Sequence, residues 1–214
     1  MTISASSLLK DAVTLLQDPT SDRWSITYLV DALNAGLRVL MNKRPDAFAA
    51  VFVAPLAVGP AQTLPAGAAF LVDVIGNTES RKALRKVDMP LMDSINPKWQ
   101  AATGAKDIAH FMYDLRFPRS YYVYPPALAT SSLDLFCTAY PTTVGAPSDA
   151  TYATVPGNIN VADQWAEPLL NWVLHRAWAV DAEFGGNAQL SAGYLGLFNA
   201  ATEVASSAEV APSK

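Results

Sequence analysis

The sequence predicts an α+β fold: a helical bundle built from the N- and C-terminal helices, with an antiparallel β-rich subdomain inserted between them. Three observations carry this expectation. Apolar residues recur at helical spacing at both ends of the chain, and each such stripe is stable only when covered. From Phe48 the texture changes to short apolar runs punctuated by Pro and Gly. Covering the terminal stripes brings the two ends together and leaves the middle as an insertion. The expected boundaries are 1–47 with 160–205 for the bundle, 48–159 for the insertion, and 206–214 for a flexible tail.

Residues 5–17 predict a short helix with Leu8, Leu9, Ala12, Val13 and Leu16 on one side, broken at Asp18-Pro19. Ile26, Leu29, Val30, Leu33, Leu37, Leu40 and Met41 hold the helical period for more than four turns. Ser21 or Ser25 can cap that helix, and Pro45 stops it. Phe48–Val53 reads as a strand. Residues 54–67 read as a turn-rich connector, and Phe70–Ile75 as an apolar run before a Gly76-Asn77 turn. Leu84–Val87 is a further strand candidate. Residues 89–100 show little periodicity, with Trp99 as their anchor. Residues 108–140 read as a β-meander of three strands: 108–115, 121–124 ended by Pro125-Pro126, and 133–140. Residues 142–161 read as a long loop.

The stretch 163–204 reads as two long helices joined at Gly185-Gly186-Asn187. Pro168 is tolerated only in a first turn, which places the first start near 164–167. Trp165, Leu169, Trp172, Val173, Ala177, Val180 and Phe184 form the stripe of the first. The second is expected to bury Leu190, Tyr194, Leu197, Phe198, Ala201 and Val204, while Gly193, Gly196 and Ala200 offer a small-residue face.

The chain has 214 residues and a net charge of −4, with 51% hydrophobic and 16% charged residues. Charged content is low against a typical ~25%. Two readings fit: extensive subunit interfaces, or a somewhat apolar monomer. The N-terminus shows no signal-peptide pattern, no run is long enough to span a bilayer, and Cys137 stands alone. These features predict a soluble protein without disulfides, made in a reducing cytosol, with no membrane association. Arg81, Lys82, Arg85 and Lys86 are the one dense cluster of cations, readable as a solvated edge or as a contact for DNA phosphates.

No catalytic residue, metal site or cofactor is expected. His110 and His175 lack metal-ligand spacing, and the phosphate-cradling glycine loops and the Gly-x-Ser-x-Gly elbow are absent. Asp107, Asp114 and Asp134 are surface carboxylates by default and candidates for hydrolase chemistry by alternative. Binding features are richer. Arg116, Arg119, Tyr121, Tyr122 and Tyr124 cluster about one turn, in residue types enriched at interface hot spots, although tyrosines alternating along a strand can equally pack a sheet.

An ordered set of motifs runs through roughly 20–200. It comprises Trp24 with the helix through Asn34, Arg44-Pro45-Asp46, Leu64-Pro65-Ala66-Gly67 and Asn96-Pro97-Lys98-Trp99. Tyr113-Asp114, Phe117-Pro118, Tyr122-Val123-Tyr124-Pro125-Pro126, Ala139-Tyr140-Pro141 and His175-Arg176-Ala177 with 181–187 complete it. In order and spacing the set resembles the head-to-tail adaptor (connector) proteins of short-tailed bacteriophages. The resemblance implies a non-enzymatic virion protein at the neck, forming a homo-oligomeric ring, typically of twelve copies, that takes part in DNA ejection. Its implied partners are the portal protein above and the tail or nozzle protein below, with packaged DNA passing through the ring. Another tail or capsid accessory protein, or a virion-associated hydrolase, is the alternative. A closed ring needs two different complementary patches. The terminal helices, including Gly193 and Gly196, are expected to supply one, and the Tyr-rich region to contribute to the other. Alanine at Arg119 and Tyr122 is expected to impair assembly and leave the fold intact.

Overall fold

The computed structural model describes residues 2–146, 151–180 and 185–208. In chain order the elements are β1 (Thr2–Ser4), α1 (Ala5–Leu15), α2 (Ile26–Lys43), β2 (Ala49–Pro55), β3 (Gly59–Thr63), β4 (Ala68–Asn77) and β5 (Arg85–Lys86). They continue with α3 (Met89–Ile95), β6 (His110–Tyr113), β7 (Ser120–Ala127), β8 (Ser132–Ala139), β9 (Asn158–Ala162), α4 (Ala166–Val180) and α5 (Gly185–Ala208). The fold is α+β, and the chain divides into two compact units, 1–48 with 141–214 and 49–140.

In the first unit, α1, α2 and α4 share one apolar core. Leu9, Leu29, Leu33, Leu169, Val173 and Leu174 are fully enclosed in it. Ser25 caps α2 by accepting the Tyr28 N–H, so of the two serines the second is the cap. The tryptophans join helices through their polar edges as well as their rings. Trp24 Nε1 donates to the Ala177 carbonyl at 2.9 Å, and the Tyr28 hydroxyl donates to the Arg176 carbonyl at 2.8 Å. Trp172 Nε1 donates to the Ala32 carbonyl at 3.1 Å. Each bond lets an aromatic body be buried without leaving its polar atom unpaired. The α4 start at Ala166 puts Pro168 in the first turn, as its missing N–H requires.

Residues 141–146 and 151–159 differ from the sequence expectation. They group with the helices rather than with the insertion, and part of the expected loop is strand: β9 pairs antiparallel with β1. Asn34 on α2 fixes the entry to this segment, its amide donating to the Val144 carbonyl and accepting the Val144 N–H, both at 2.9 Å. Residues 147–150 of that loop lie outside the described residues. So do 181–184, with the expected stripe residue Phe184, and the tail from 209. Gly185, Gly186 and Asn187 are the first turn of α5 rather than a linker, and α5 runs to Ala208, into the span expected to be a flexible tail.

The second unit is two sheets around a common core, in strand orders β2-β8-β4 and β3-β7-β6-β5. Leu71, Val74, Leu133, Leu135 and Cys137 from the first sheet meet Phe111, Tyr121 and Val123 from the second. The expected three-strand meander is therefore not formed: β8 pairs with β2 and β4, and only β6 and β7 are a hairpin. Nor is the unit wholly antiparallel, since β5 runs parallel to β6. The connector 54–67 contains strand β3, whose Pro60 is tolerated because β3 is an edge strand. β7 runs through Pro125-Pro126. The register of its pairing with β3 shifts there, opposite residues with no N–H to give, and the Tyr124–Pro125 bond is cis. Gly76-Asn77 ends β4 rather than turning. The Asn77 side chain bonds the Ile108 N–H and carbonyl and the Lys82 carbonyl, at 2.8–3.0 Å, tying β4 to the approach to β6. Residues 89–100 contain helix α3, and Trp99 is their anchor: it is fully buried with Met92 and Met112, its Nε1 donating to Asp93 at 2.7 Å.

Candidate interaction surfaces

The β6–β7 turn holds the Arg- and Tyr-rich cluster, and the cluster separates into two kinds of residue. Tyr121 points into the sandwich core at 1% exposure and presents no surface. Residue type and position near the turn made it a candidate, and the strand alternation puts it on the inner face, as the sheet-packing alternative allowed. Tyr122 packs edge-on against Trp99, and Tyr124 stacks on His110; both are half-buried. Arg119 spreads its guanidinium over backbone, donating to the Ala68 carbonyl at 2.8 Å and the Leu64 carbonyl at 3.3 Å. Alanine at Arg119 and Tyr122 would therefore remove contacts within the fold as well as any made to a neighbour. What the tip does present is Leu115 and Phe117, 76% and 66% exposed, flanking Arg116. Sequence reading passed over this pair because isolated apolar residues in a turn carry no periodicity.

Arg116 forms a forked pair with Asp114 at 2.6–3.1 Å, and the Arg116 backbone N–H donates to the same carboxylate at 2.9 Å. The side-chain bonds from Arg116 hold the Asp114 carboxyl below its ordinary range. Asp107 is held low in the same way by Lys82, at 2.6 Å, and Asp134 accepts from Thr78 and from Arg81. Each of the three carboxylates singled out for hydrolase chemistry is thereby matched to its own cation. Among the described residues no cluster of His, Cys, Asp or Glu could hold a metal ion.

The basic segment forms the outer edge of the four-stranded sheet. Arg81 and Lys82 are engaged in those ion pairs, while Arg85 and Lys86 on β5 are exposed and enter no ion pair among the described residues. The backbone N–H groups of Arg85 and Val87 donate inward to β6 and its approach, leaving the Lys86 N–H on the open edge.

The third surface is on α5. Phe198 is fully buried and meets Trp172 at 5.0 Å between ring centroids. Ser191 clasps α4: its hydroxyl donates to the His175 carbonyl at 3.1 Å and lies 2.9 Å from His175 Nδ1. His175 is a helix-to-helix clasp in this arrangement. The outer side departs from expectation. Leu190 is 45% and Leu197 56% exposed, and Ala201 is exposed too. Gly193 and Gly196 lie on this side, and a Cβ added at either would meet nothing within 4 Å. From Gly185 to Thr202 the helix carries no Asp, Glu, Lys, Arg or His. Val180, expected in the α4 stripe, is 67% exposed.

Cys137 is fully enclosed, and burial pushes its thiol up to about 11. No helix among the described residues is long and apolar enough to cross a membrane. No curated protein matches the chain. A family model does, the SU10 adaptor protein family, over residues 3–213. The match spans both units and every surface just described, and the chain belongs to this family of phage adaptor proteins.

Proposed function

We propose that the protein is a head-to-tail adaptor that forms a homo-oligomeric ring at the neck of the virion, between portal and tail and around the DNA channel. The observation that carries this reading is the adaptor family match over residues 3–213. Two features of the chain support it. The uncharged outer side of α5, with Leu190, Gly193, Gly196 and Leu197, is suited to close packing against a neighbour's backbone. The β5 edge, with Arg85 and Lys86 free of ion pairs among the described residues, suits DNA phosphates passing nearby; Arg81 and Lys82 are less available to it because Asp134 and Asp107 hold them. The ring acts by binding alone, and no cofactor enters its function.

Quantitative mass spectrometry of purified particles, with imaging of the neck, tests the reading. A ring's worth of copies at the portal is the expected result. A location away from the neck would return the chain to the tail or capsid accessory proteins, and absence from the particle would overturn the virion reading itself.

A further inference from the structure

The outer face of the β2-β8-β4 sheet is open in part among the described residues: Thr138 and Asp134 on β8 are buried, Phe136 is half-buried, and Val51, Val53 and Asp73 beside it are exposed. Its strands place Val51, Phe136 and Asp73 in one cross-strand row, Val51 opposite Phe136 and Phe136 opposite Asp73. Val51 is 59% exposed and Val53, on the same side of β2, 64%. Asp73 is exposed, and among the described residues its carboxylate bonds only the next backbone N–H, that of Val74, at 2.8 Å. The other sheet has no such face, because Trp99, Met92 and Val87 cover the outer side of β6 and β7. The outer side of β6 and β7 is thus covered, while the β2-β8-β4 sheet carries an apolar row ending in a carboxylate with no ion pair among the described residues.

The β6–β7 tip has the converse character. Leu115 and Phe117 project on either side of Arg116. With Arg116 and Arg119 against Asp114 the tip bears one net positive charge. It is also stiff. Phe117 N–H donates to the Asp114 carbonyl, Ser120 N–H to the Phe117 carbonyl, and the Tyr113 hydroxyl to the Pro118 carbonyl, at 2.9–3.0 Å. A rigid apolar knob loses little conformational freedom on docking, which is the condition for an anchor. Knob and row match in polarity and are opposite in charge, and one chain carries both.

Resting on the ring reading, we infer that the Leu115–Phe117 tip of one copy seats on the Val51–Phe136–Asp73 row of the next copy, its cationic side facing Asp73. The contact joins two different patches, so it propagates head to tail and closes when the rotation allows. The opposed charges orient the knob on an otherwise featureless apolar face.

The test uses particles complemented with an equal mixture of two variants, Leu115→Cys and Val51→Cys, treated with a short bis-maleimide. Both positions are exposed and Cys137 is fully enclosed, so within this chain only the introduced thiols react and the product between unlike chains reports the contact. A cross-linked dimer of unlike chains is expected. In parallel, Asp73→Lys is expected to lower incorporation into particles about tenfold or more, and Asp73→Lys with Arg116→Glu to restore most of it. Unchanged thermal melts of both variants show that the fold is intact. A complete neck ring with no cross-link between unlike chains and full incorporation of Asp73→Lys overturns the contact and leaves the ring standing. Cross-linking of Leu115→Cys to a different virion protein overturns it as well. Wild-type particles without a ring overturn the ring reading and the contact together.

Discussion

At the scale of single residues, Asp18 shows how one carboxylate can hold a chain reversal. It follows α1, where Gln17 takes a positive φ of 56°, and it accepts the backbone N–H groups of Asp22, Arg23 and Trp24, each at 3.0 Å. Burial alone would raise its carboxyl; the three N–H groups outweigh burial and lower it. A carboxyl lowered on folding contributes stability above its unfolded value, and that stability is lost as pH falls through the folded one. Asp18→Ala should therefore cost about 1–3 kcal/mol at neutral pH and flatten the acid limb of stability, measured by urea melts across pH 2–7. Tyr121 offers a test of the opposite sign. Its hydroxyl is buried with no hydrogen-bond partner among the described residues, so Tyr121→Phe should be neutral or stabilising by up to about 1 kcal/mol. It should also leave assembly unchanged, because the residue lines the core. A loss of assembly with an intact melt would restore Tyr121 to the interface. Its strand position was legible in the sequence; the face it takes was not, since a period of two leaves the inward set to be decided by the partner sheet.

At the scale of elements, the clearest case is the crossing of α2 and α4. A Cβ at Gly36 would meet the Trp172 ring at 2.6 Å, and that ring is held by its bond to the Ala32 carbonyl. Gly36→Ala should destabilise by about 1–3 kcal/mol, although alanine is the better helix former, because the indole must give up its position. A melt showing stabilisation would mean that the indole moves freely. Both helices were readable from the 3.6-residue stripe, and so were α1 and the start of α4 at Pro168. β3, α3 and β9 were not. Gly59-Pro60 begins β3 with turn residues, Pro90 opens α3 where a breaker was expected, and β9 has only Ile159 and Val161 buried. All three depend on what lies beside them: β7 for β3, the Trp99 cluster near α3, and β1 for β9. The order of strands likewise rests on long-range pairing, which a local pattern cannot carry, so β8 read as the third strand of a meander when it is the centre of another sheet.

At the scale of the whole molecule, composition gave two readings, an apolar core or apolar interfaces, and the structure distributes the apolar surplus between them. Both units have closed cores, yet Leu115, Phe117, Val51, Val53, Leu190 and Leu197 remain in the open. The α5 side separates folding from assembly, because the two place opposite demands on one residue. Gly196 lies in a helix interior with open space where a side chain would go. In the isolated chain Gly196→Leu removes the entropic cost of glycine, worth about 0.8–1 kcal/mol, and raises the melting temperature by about 2–4 °C. In a ring whose neighbouring backbone lies close against this side, the same leucine fills the space that neighbour needs, and overpacking of a tight contact costs about 1–3 kcal/mol per site. Repeated at every interface of a closed ring, that cost should reduce particle-borne copies severalfold while the purified subunit melts higher than wild type. Gly196→Ala, one methyl larger, should raise the melt and lower incorporation less. Full incorporation of the leucine variant would place the close-packed seam elsewhere and leave the α5 side to a partner that does not approach its backbone.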